Sequence, residues 1–298
     1  YDLIGDIHGH NQALVWMLER LGYDRRRGYY SHPQRKVIFL GVWIDRGPQI
    51  RDVLQTVRPM IEQGSALAVM GNHELNAILF HSLTASGHPL RKHSDENTSQ
   101  HRSFLDAFGV RSEKALHWTN WFMTQLPLWR EIDGLRLVHA CWSEADVIEI
   151  SKRRPDGYLK WEDLEEIAGE STSFGRAVKT LVTGPEVKLP HPYSFKDTRG
   201  KERREARLAW WNAGATTWPE ATLSVPDPSK LPAGDLPEDA AAVIYSPDAP
   251  SVLVGHYKMT GAPRIEHPKA ASLDYPEQPC VYYWSGEDKL LQDCLEKL

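Results

Sequence analysis

Apolar, strand-like runs that end in glycine and polar residues are the feature that most restricts the fold of this chain. Residues 1–4, 37–40 and 66–70 are such runs, and a glycine follows each. Between them, residues 11–21 and 52–62 repeat apolar side chains at helical spacing. Strands that alternate with helices predict βαβ units and a parallel sheet. In such sheets, ligands bind beyond the carboxyl ends of the strands, where the polar residues of this chain lie.

The rest of the chain predicts a second half that contains a hairpin. Asp133-Gly134 lies between the apolar runs 128–132 and 135–138 and is typical of a tight hairpin turn. Later apolar runs predict further strands at residues 252–254, 270–273 and 281–284. Helical spacing recurs over residues 103–108, 113–125 and 160–183, whereas the polar residues 87–100 indicate a loop.

Seven of the 20 prolines fall within residues 219–250, which is too many for regular structure. The segment therefore predicts an irregular insertion or surface loop. Because the final strands need partners in a sheet, we expect this insertion to interrupt a single domain of residues 1–298 rather than to join two domains.

Composition limits the partners open to the chain. Lys and Arg number 35 against 40 Asp and Glu, and the net charge of −5 argues against nucleic acid. No apolar run reaches the roughly 18 residues of a membrane-spanning helix, so no membrane partner is predicted. Three widely spaced cysteines form neither a disulfide framework nor a zinc ribbon, which predicts a cytoplasmic protein.

Five polar clusters follow the predicted strands and carry the chemistry. Asp, His and Asn supply oxygen and nitrogen ligands suited to manganese, iron or zinc. Asp6 and His8 stand two residues apart, so both can face one side of an extended segment. Any one of these residues alone is more often a turn or a cap, but turns do not reproduce an ordered set. The clusters are Gly5-Asp6-Ile7-His8-Gly9, residues 41–48, Gly71-Asn72-His73-Glu74, Val138-His139-Ala140 and Val254-Gly255-His256.

These motifs resemble the calcineurin-like metallophosphoesterases, and specifically the bacterial type of the phosphoprotein-phosphatase branch. That family reads GDxHG, GDxxDRG and GNHE, followed by two later histidines, and the motifs stand here in the same order over residues 5–256. The resemblance implies a calcineurin-like α/β fold, a four-layer α/β/β/α sandwich of two mixed sheets flanked by helices.

The resemblance also implies a pair of divalent metal ions. Asp6 and His8 would hold the first ion, and Asn72, His139 and His256 would hold the second. Manganese is the first expectation, with iron, zinc and magnesium as alternatives. Such a pair would activate the water that attacks phosphorus.

Three further residues receive catalytic roles from the resemblance. Arg46 would bind the phosphate oxygens, because a planar guanidinium matches them in a bidentate manner. His73, oriented by Asp45, would donate a proton to the leaving alkoxide.

Val42 departs from the family pattern. The family has a metal-bridging Asp at this place, and valine offers no lone pair to a cation. We therefore expect reduced metal occupancy and impaired activity. Three interpretations stay open: an enzyme altered at one position, which we favour because the other motif residues are intact, a phosphate-binding pseudoenzyme, and an enzyme that works with one metal.

The leading hypothesis is a metal-dependent phosphomonoesterase resembling Ser/Thr protein phosphatases, with a phosphoprotein or small phosphoester as substrate. The alternative keeps the chemistry but takes a nucleotide, a dinucleoside polyphosphate or a nucleic-acid end. Basic runs at residues 25–27, 152–154 and 201–207 support the alternative, although such runs are usually solvated faces. A non-catalytic phosphate-binding protein is the third hypothesis.

A second phosphate-binding arginine is expected between the two late histidines, and four candidates stay open: Arg176, Arg203, Arg204 and Arg207. Residues 184–211 predict either a flap over the site or an amphipathic helix with Leu208 and Trp211 in the core. Cys141 is predicted to be a packing residue. Nine histidines match no motif and are expected on the surface or in loops: His10, His32, His81, His88, His93, His101, His117, His191 and His267.

Overall fold

A five-stranded mixed sheet contains both the start and the end of the chain. The computed structural model describes residues 1–197, 200–212, 214–237 and 245–298. Strand order in this sheet is β14-β13-β1-β2-β3. The first three strands are parallel, as the alternation of strands and helices predicts, and β13 pairs antiparallel with β1. Its strands are β1 (Asp2–Ile4), β2 (Val37–Phe39), β3 (Ala66–Ala68), β13 (Cys280–Tyr283) and β14 (Leu295–Lys297).

A second, four-stranded mixed sheet holds the predicted hairpin. Strands β4 and β5 pair antiparallel, and β11 and β12 continue the sheet in parallel, in the order β12-β11-β5-β4. These strands are β4 (Trp129–Ile132), β5 (Leu135–Val138), β11 (Ser251–Val254) and β12 (Ala270–Ser272).

Alternating side chains on the strands create four layers. Leu3 and Ile38 of the first sheet share one apolar cluster with Leu137 and Leu253 of the second, so this core fills the space between the sheets. Neighbouring strand residues point the other way and join a larger cluster with the helices. The expected α/β/β/α sandwich is therefore confirmed.

Helices cover the outer faces of both sheets. The predicted helices over residues 11–21, 52–62, 103–108 and 113–125 are confirmed. The helices are α1 (Asn11–Arg20), α2 (Ile50–Glu62), α3 (Asn72–His81), α4 (Asp95–Gln100), α5 (Arg102–Phe108), α6 (Glu113–Gln125), α7 (Glu144–Ser151), α8 (Leu164–Gly169) and α9 (Ser173–Thr183).

Two helical predictions need correction. The loop predicted at residues 87–100 ends in helix α4, because the side chain of Ser94 caps it by accepting a hydrogen bond from the Asn97 amide. The single helical stretch predicted at residues 160–183 is divided between α8 and α9, since Glu170 adopts a left-handed conformation with φ of 48°.

Residues 186–223 build a small antiparallel unit, which we call the flap, beside the strand ends. It has its own apolar cluster, which includes Val187, Leu208 and Trp218. Residues 205–208 are a strand, so the alternative of an amphipathic helix is wrong, although Leu208 and Trp211 are buried as it required. The flap contains β6 (Glu186–Lys188), β7 (Phe195–Lys196), β8 (Glu202–Arg203), β9 (Glu205–Leu208), α10 (Trp218–Ala221) and β10 (Thr222–Leu223).

The proline-rich segment is partly regular where it is described. Helix α10 begins before it, β10 follows, and a 3-10 turn spans Pro228–Lys230. The remainder of that prediction, residues 238–244, lies outside the described residues. Among the helices that are described, none is long and apolar enough to span a membrane.

Candidate functional site

The polar clusters meet at the carboxyl ends of β1, β2, β3, β5 and β11. Backbone amides of Ile7 and His8 donate to the Val42 carbonyl at 2.7 and 3.1 Å, which ties the first cluster to the second. The amide of His256 donates to Asp6 Oδ1 at 3.2 Å, across a sequence separation of 250 residues. The two mixed sheets thus bring the ends of distant strands to one place.

Two glycines permit this close approach. A Cβ atom at Gly255 would lie 2.3 Å from Asp6 Oδ1. A Cβ atom at Gly41, where φ is +95°, would lie 2.8 Å from His139 Nδ1. Any side chain at either position would push a site residue away, so both positions require glycine.

Four non-glycine site residues adopt left-handed backbone conformations: His8, Asp45, Arg46 and His256, with φ between 49° and 65°. Each such residue costs on the order of 1 kcal/mol, and such strain collects at functional sites. The loops therefore hold these side chains in positions that relaxed turns would not give them.

Asp6 is the carboxylate at the centre of the site. Its side chain is 3% exposed, and burial raises its pKa to about 7 against the opposing effects of the His256 and Val42 amides and the Arg46 charge. The side chain of Val42 is fully buried at the place where the family pattern has a second carboxylate.

Two histidines each have one buried ring nitrogen without a hydrogen-bond partner. His8 Nδ1 faces the Ile44 carbonyl at 3.3 Å, so this nitrogen is the donor and Nε2 is the acceptor. Nε2 of His8 and Nε2 of His256 are buried and have no hydrogen-bond partner. Burial lowers the pKa of His8 to about 2 and that of His256 well below its usual value, so both rings are neutral at physiological pH.

The ring of His139 lies against the side chain of Asn72. His139 donates from Nδ1 to the Leu40 carbonyl at 2.7 Å, which leaves a lone pair on Nε2, 3.1 Å from Asn72 Oδ1. Burial lowers the pKa of His139 to about 3. Two acceptors at this distance repel each other unless a cation lies beside both, so the donor set fits a divalent ion. Among the described residues, no three His, Cys, Asp or Glu side chains are already clustered as a metal site.

His73 and Asp45 form a hydrogen-bonded pair beside these ligands. His73 donates from Nδ1 to Asp45 Oδ2 at 2.7 Å. Burial alone would raise the pKa of Asp45, but hydrogen bonds from His101 and His73 lower it to about 2. The carboxylate is therefore ionised and holds the His73 ring, whose side chain is 14% exposed.

The expectation that the remaining histidines are surface or loop residues is wrong for His81 and His101. His101 is fully buried and its Nδ1 lies 2.8 Å from Asp45 Oδ1, and His81 is 1% exposed with Nε2 3.2 Å from His101 Nε2. The burial of His81 could have been predicted from the sequence, because this residue directly follows an apolar run at the end of helix α3. Cys141 is buried in the core, as predicted.

Glu74 is a further residue whose role was not predicted from the sequence. Its Oε1 accepts a hydrogen bond from the Trp43 amide at 2.8 Å, and its Oε2 is buried without a partner. Burial raises the pKa of Glu74 to about 8. The residue therefore fixes the loop that carries Asp45 and Arg46.

A cavity of about 2220 Å³ opens over the site and extends below the flap. This exceeds the roughly 300–1,000 Å³ of ordinary ligand pockets. Site residues at its base include Asp6, Arg46 and His73, and Arg46 is exposed. Residues of both charges line its outer part. The basic ones are Lys188, Arg203, Arg204, Arg207, Lys258 and Arg264, and the acidic ones include Glu96, Glu186, Asp197, Glu202, Glu205 and Glu277.

Of the four candidate arginines, Arg207 is the one whose charge contributes to the lowered pKa of His256, after burial and His139. All three arginines of the flap lie near a carboxylate: Arg203 is 2.9 Å from Asp197, Arg204 is 3.7 Å from Glu202, and Arg207 is 3.8 Å from Glu186. Arg176 does not line the cavity, and it donates to the Glu170 carbonyl.

Comparisons with known proteins agree with this architecture. The family model of calcineurin-like phosphoesterases matches residues 2–189, which is more than half of the chain. Similar curated proteins include bis(5'-nucleosyl)-tetraphosphatases PrpE [asymmetrical] from Halalkalibacterium halodurans (39% identical over 74 residues) and Anoxybacillus flavithermus (42% over 74 residues). Each match covers 24% of this chain, and the chain spans only 30% of the length of these relatives.

Solved structures show the same fold at low sequence identity. A mutant cold-active protein tyrosine phosphatase has a TM-score of 0.54 at 12% identity, with all of this chain and 79% of that chain covered. A protein serine/threonine phosphatase from Saccharomyces cerevisiae has a TM-score of 0.51 at 13% identity, with 100% and 78% covered. Family model and fold agree, and this protein belongs to the calcineurin-like phosphoesterases, a family of hydrolases that usually bind two divalent metals.

Proposed function

We propose that this chain is a metal-dependent phosphoesterase whose reaction centre lies between Asp6 and His73. The observation that carries the proposal is the pair of buried, unpartnered ring nitrogens beside a His–Asp pair. Nε2 of His8 and Nε2 of His256 are buried without partners, while Asp45 holds His73 at 2.7 Å. Unsatisfied buried polar atoms are costly in a folded protein, and a bound cation would satisfy ring nitrogens that present a lone pair to it.

Asp6 and His8 would hold one divalent ion, and Asn72, His139 and His256 would hold a second. Metal ions in such a pair supply an activated water as the nucleophile and neutralise the charge on phosphate. Manganese is the ion we would test first, because neutral imidazole, amide and carboxylate ligands suit it.

Two side chains of the cavity base act on the substrate itself. Arg46 is exposed and makes no ion pair with any described residue, so its guanidinium is available to bind two phosphate oxygens. Asp45 accepts from His73 Nδ1, so the protonated ring carries its second proton on Nε2. The ring would give that proton to the leaving oxygen and become the neutral form with hydrogen on Nδ1. An alkoxide needs that proton more than a phenolate does.

The leading substrate class is a phosphomonoester of the kind that protein phosphatases hydrolyse. A dinucleoside polyphosphate is the second candidate, and the size of the cavity favours it. Arg207, Lys258 and Arg264 line the cavity beyond Arg46, where they could bind further phosphates of an extended chain. The relatives named as tetraphosphatases match only a quarter of this chain, so their activity supports this candidate without establishing it.

A substrate panel tests the proposal. The chain would be assayed with and without manganese on an aryl phosphate, an alkyl phosphate, a phosphopeptide and diadenosine tetraphosphate. We expect metal-dependent hydrolysis that a chelator abolishes, slow because Val42 withholds one carboxylate. Faster hydrolysis of the dinucleotide than of the phosphopeptide would select the second candidate. Metal-independent hydrolysis, or metal binding with no hydrolysis of any substrate by the chain or by Val42→Asp, would contradict the proposal.

A further inference from the structure

A buried hydrogen-bonded network continues from Asp45 away from the cavity. Both carboxylate oxygens of Asp45 are occupied, Oδ2 by His73 Nδ1 at 2.7 Å and Oδ1 by His101 Nδ1 at 2.8 Å. His101 Nε2 in turn lies 3.2 Å from His81 Nε2. We call His81, His101, Asp45 and His73 the histidine network.

The backbone amide of Arg111 fixes the direction of every hydrogen bond in this network. It lies 3.0 Å from His81 Nδ1, and an amide can only donate, so His81 Nδ1 is an acceptor. The hydrogen of the neutral His81 ring is then on Nε2 and is donated to His101 Nε2. His101 must therefore carry its hydrogen on Nδ1, where it is donated to Asp45.

Packing holds the two outer rings in place. His101 is fully buried and stacks on Phe104, with ring centroids 4.7 Å apart and an angle of 16° between the rings. Phe80 lies 5.1 Å from the same ring. The two ends of helix α3 belong to the network, since His73 is in its first turn and His81 is its last residue. The network therefore ties the orientation of this helix to that of Asp45.

We propose that His101, oriented by His81 and the Arg111 amide, is a positioning residue for His73. It occupies the Asp45 oxygen that faces away from the cavity, so that the carboxylate cannot rotate and its other oxygen stays on His73 Nδ1. The His73 ring then keeps its second nitrogen toward the leaving oxygen. This inference rests on the proposed function, in which His73 is the proton donor.

Heteronuclear NMR of the imidazole nitrogens tests the network directly, in the labelled chain without metal. We expect hydrogen on Nε2 of His81, on Nδ1 of His101 and on Nδ1 of His73. Hydrogen on Nε2 of His101 would overturn the proposal, because Asp45 would then lose one of its two donors.

Two substitutions of His101 separate the effect of its hydrogen bond to Asp45 from the effect of its packing in the core. His101→Leu removes the donor, whereas His101→Asn keeps an N–H near the place of Nδ1. His93→Gln is the matched control, because His93 stacks on Phe80 at 3.8 Å but its hydrogen bond goes to the Phe80 carbonyl. We expect the His73 Nδ1 hydrogen to exchange with water roughly tenfold faster in His101→Leu and at the original rate in the other two. Equal rates in all proteins, or equal acceleration in all variants, would overturn the proposal.

Kinetics give an independent readout. In His101→Leu, we expect kcat for an alkyl phosphate to fall roughly tenfold more than kcat for an aryl phosphate, with KM unchanged. An unchanged ratio of the two kcat values would overturn the positioning role. If no protein hydrolyses any substrate, the proposed function fails while the NMR result still decides the network. If His101→Leu does not fold, the hydrogen positions in the unaltered chain and in His101→Asn decide it.

Discussion

The backbone amide of His256 donates to the carboxylate of Asp6 at 3.2 Å, so the end of β11 is joined to the end of β1. This bond holds His256 beside Asp6, with its Nε2 buried and without a hydrogen-bond partner. A strand near the start of the chain and one near its end must therefore both be in place before the site exists.

Metal binding should depend on His256. Because its Nε2 is buried without a partner, a cation bound there stabilises the folded chain by mass action. We expect manganese to raise the unfolding temperature of the chain, and His256→Ala to lose most of that increase. His117→Ala is the control, since His117 is exposed and contacts Arg58 far from the site. An equal metal-induced increase in both variants would remove His256 from the ligand set.

The role of His73 as a proton donor predicts a dependence on the leaving group. His73→Asn, made in the Val42→Asp background, should slow hydrolysis of alkyl phosphates roughly 100-fold and that of aryl phosphates far less, because aryl leaving groups need less protonation. Steady-state rates on one substrate of each kind measure this difference. Equal losses on both would reject the role.

Arg207 should matter for extended substrates. It lines the cavity beyond Arg46, so Arg207→Ala should raise KM for diadenosine tetraphosphate roughly tenfold and KM for a small aryl phosphate much less. Arg176→Ala is the matched control, because Arg176 does not line the cavity. Equal effects of Arg207→Ala on the two substrates would count against a second phosphate site at Arg207.

Lowering the pH should reduce the amount by which His81 stabilises the folded chain. Burial lowers the pKa of His81 from 6.5 to about 3. Below about pH 6.5, the unfolded chain binds a proton at this ring and the folded chain does not, so stability falls as the pH falls toward about 3. His81→Gln lacks this titration. The free energy of unfolding would be measured in urea at about pH 7.5 and about pH 5. At the higher pH, His81→Gln should be less stable than the unaltered chain, and this difference in stability should be smaller at the lower pH. A difference that does not change with pH would contradict the buried, neutral state of His81.

The order of strands and polar clusters could be predicted from sequence because glycine and apolar runs mark strand ends locally. Asp6 and His256 lie in the polar clusters that this order marks, whereas the resemblance of the ordered motifs to the family implied their roles as ligands and the sandwich. His101 and His81 could not be predicted, because their burial depends on Asp45 and Phe104, which approach them only in the folded chain. For the same reason the sequence could not decide between a flap and a helix, since the strand at residues 205–208 is defined by its partners.

Val42 is the most informative position in the molecule. Its side chain is buried against Gly71, where an added Cβ atom would lie 2.9 Å from Val42 Cγ2. Val42→Asp would place a carboxylate at this point, and without metal it should destabilise the chain by about 3 kcal/mol as an uncompensated buried charge. Bound metal should more than restore the lost stability of Val42→Asp. In the control Val42→Ala, metal should raise stability no more than it does in the unaltered chain.

The decisive measurement for a metal-dependent phosphoesterase is product release by Val42→Asp from an aryl phosphate and from diadenosine tetraphosphate, followed as a function of manganese concentration beside the unaltered chain. We predict that hydrolysis rises at least 100-fold over that of the unaltered chain, which corresponds to about 2.7 kcal/mol of transition-state stabilisation. Release should stop when a chelator is added. A Val42→Asp protein that binds two metal ions and still hydrolyses no substrate would show that the site is not a phosphoesterase centre.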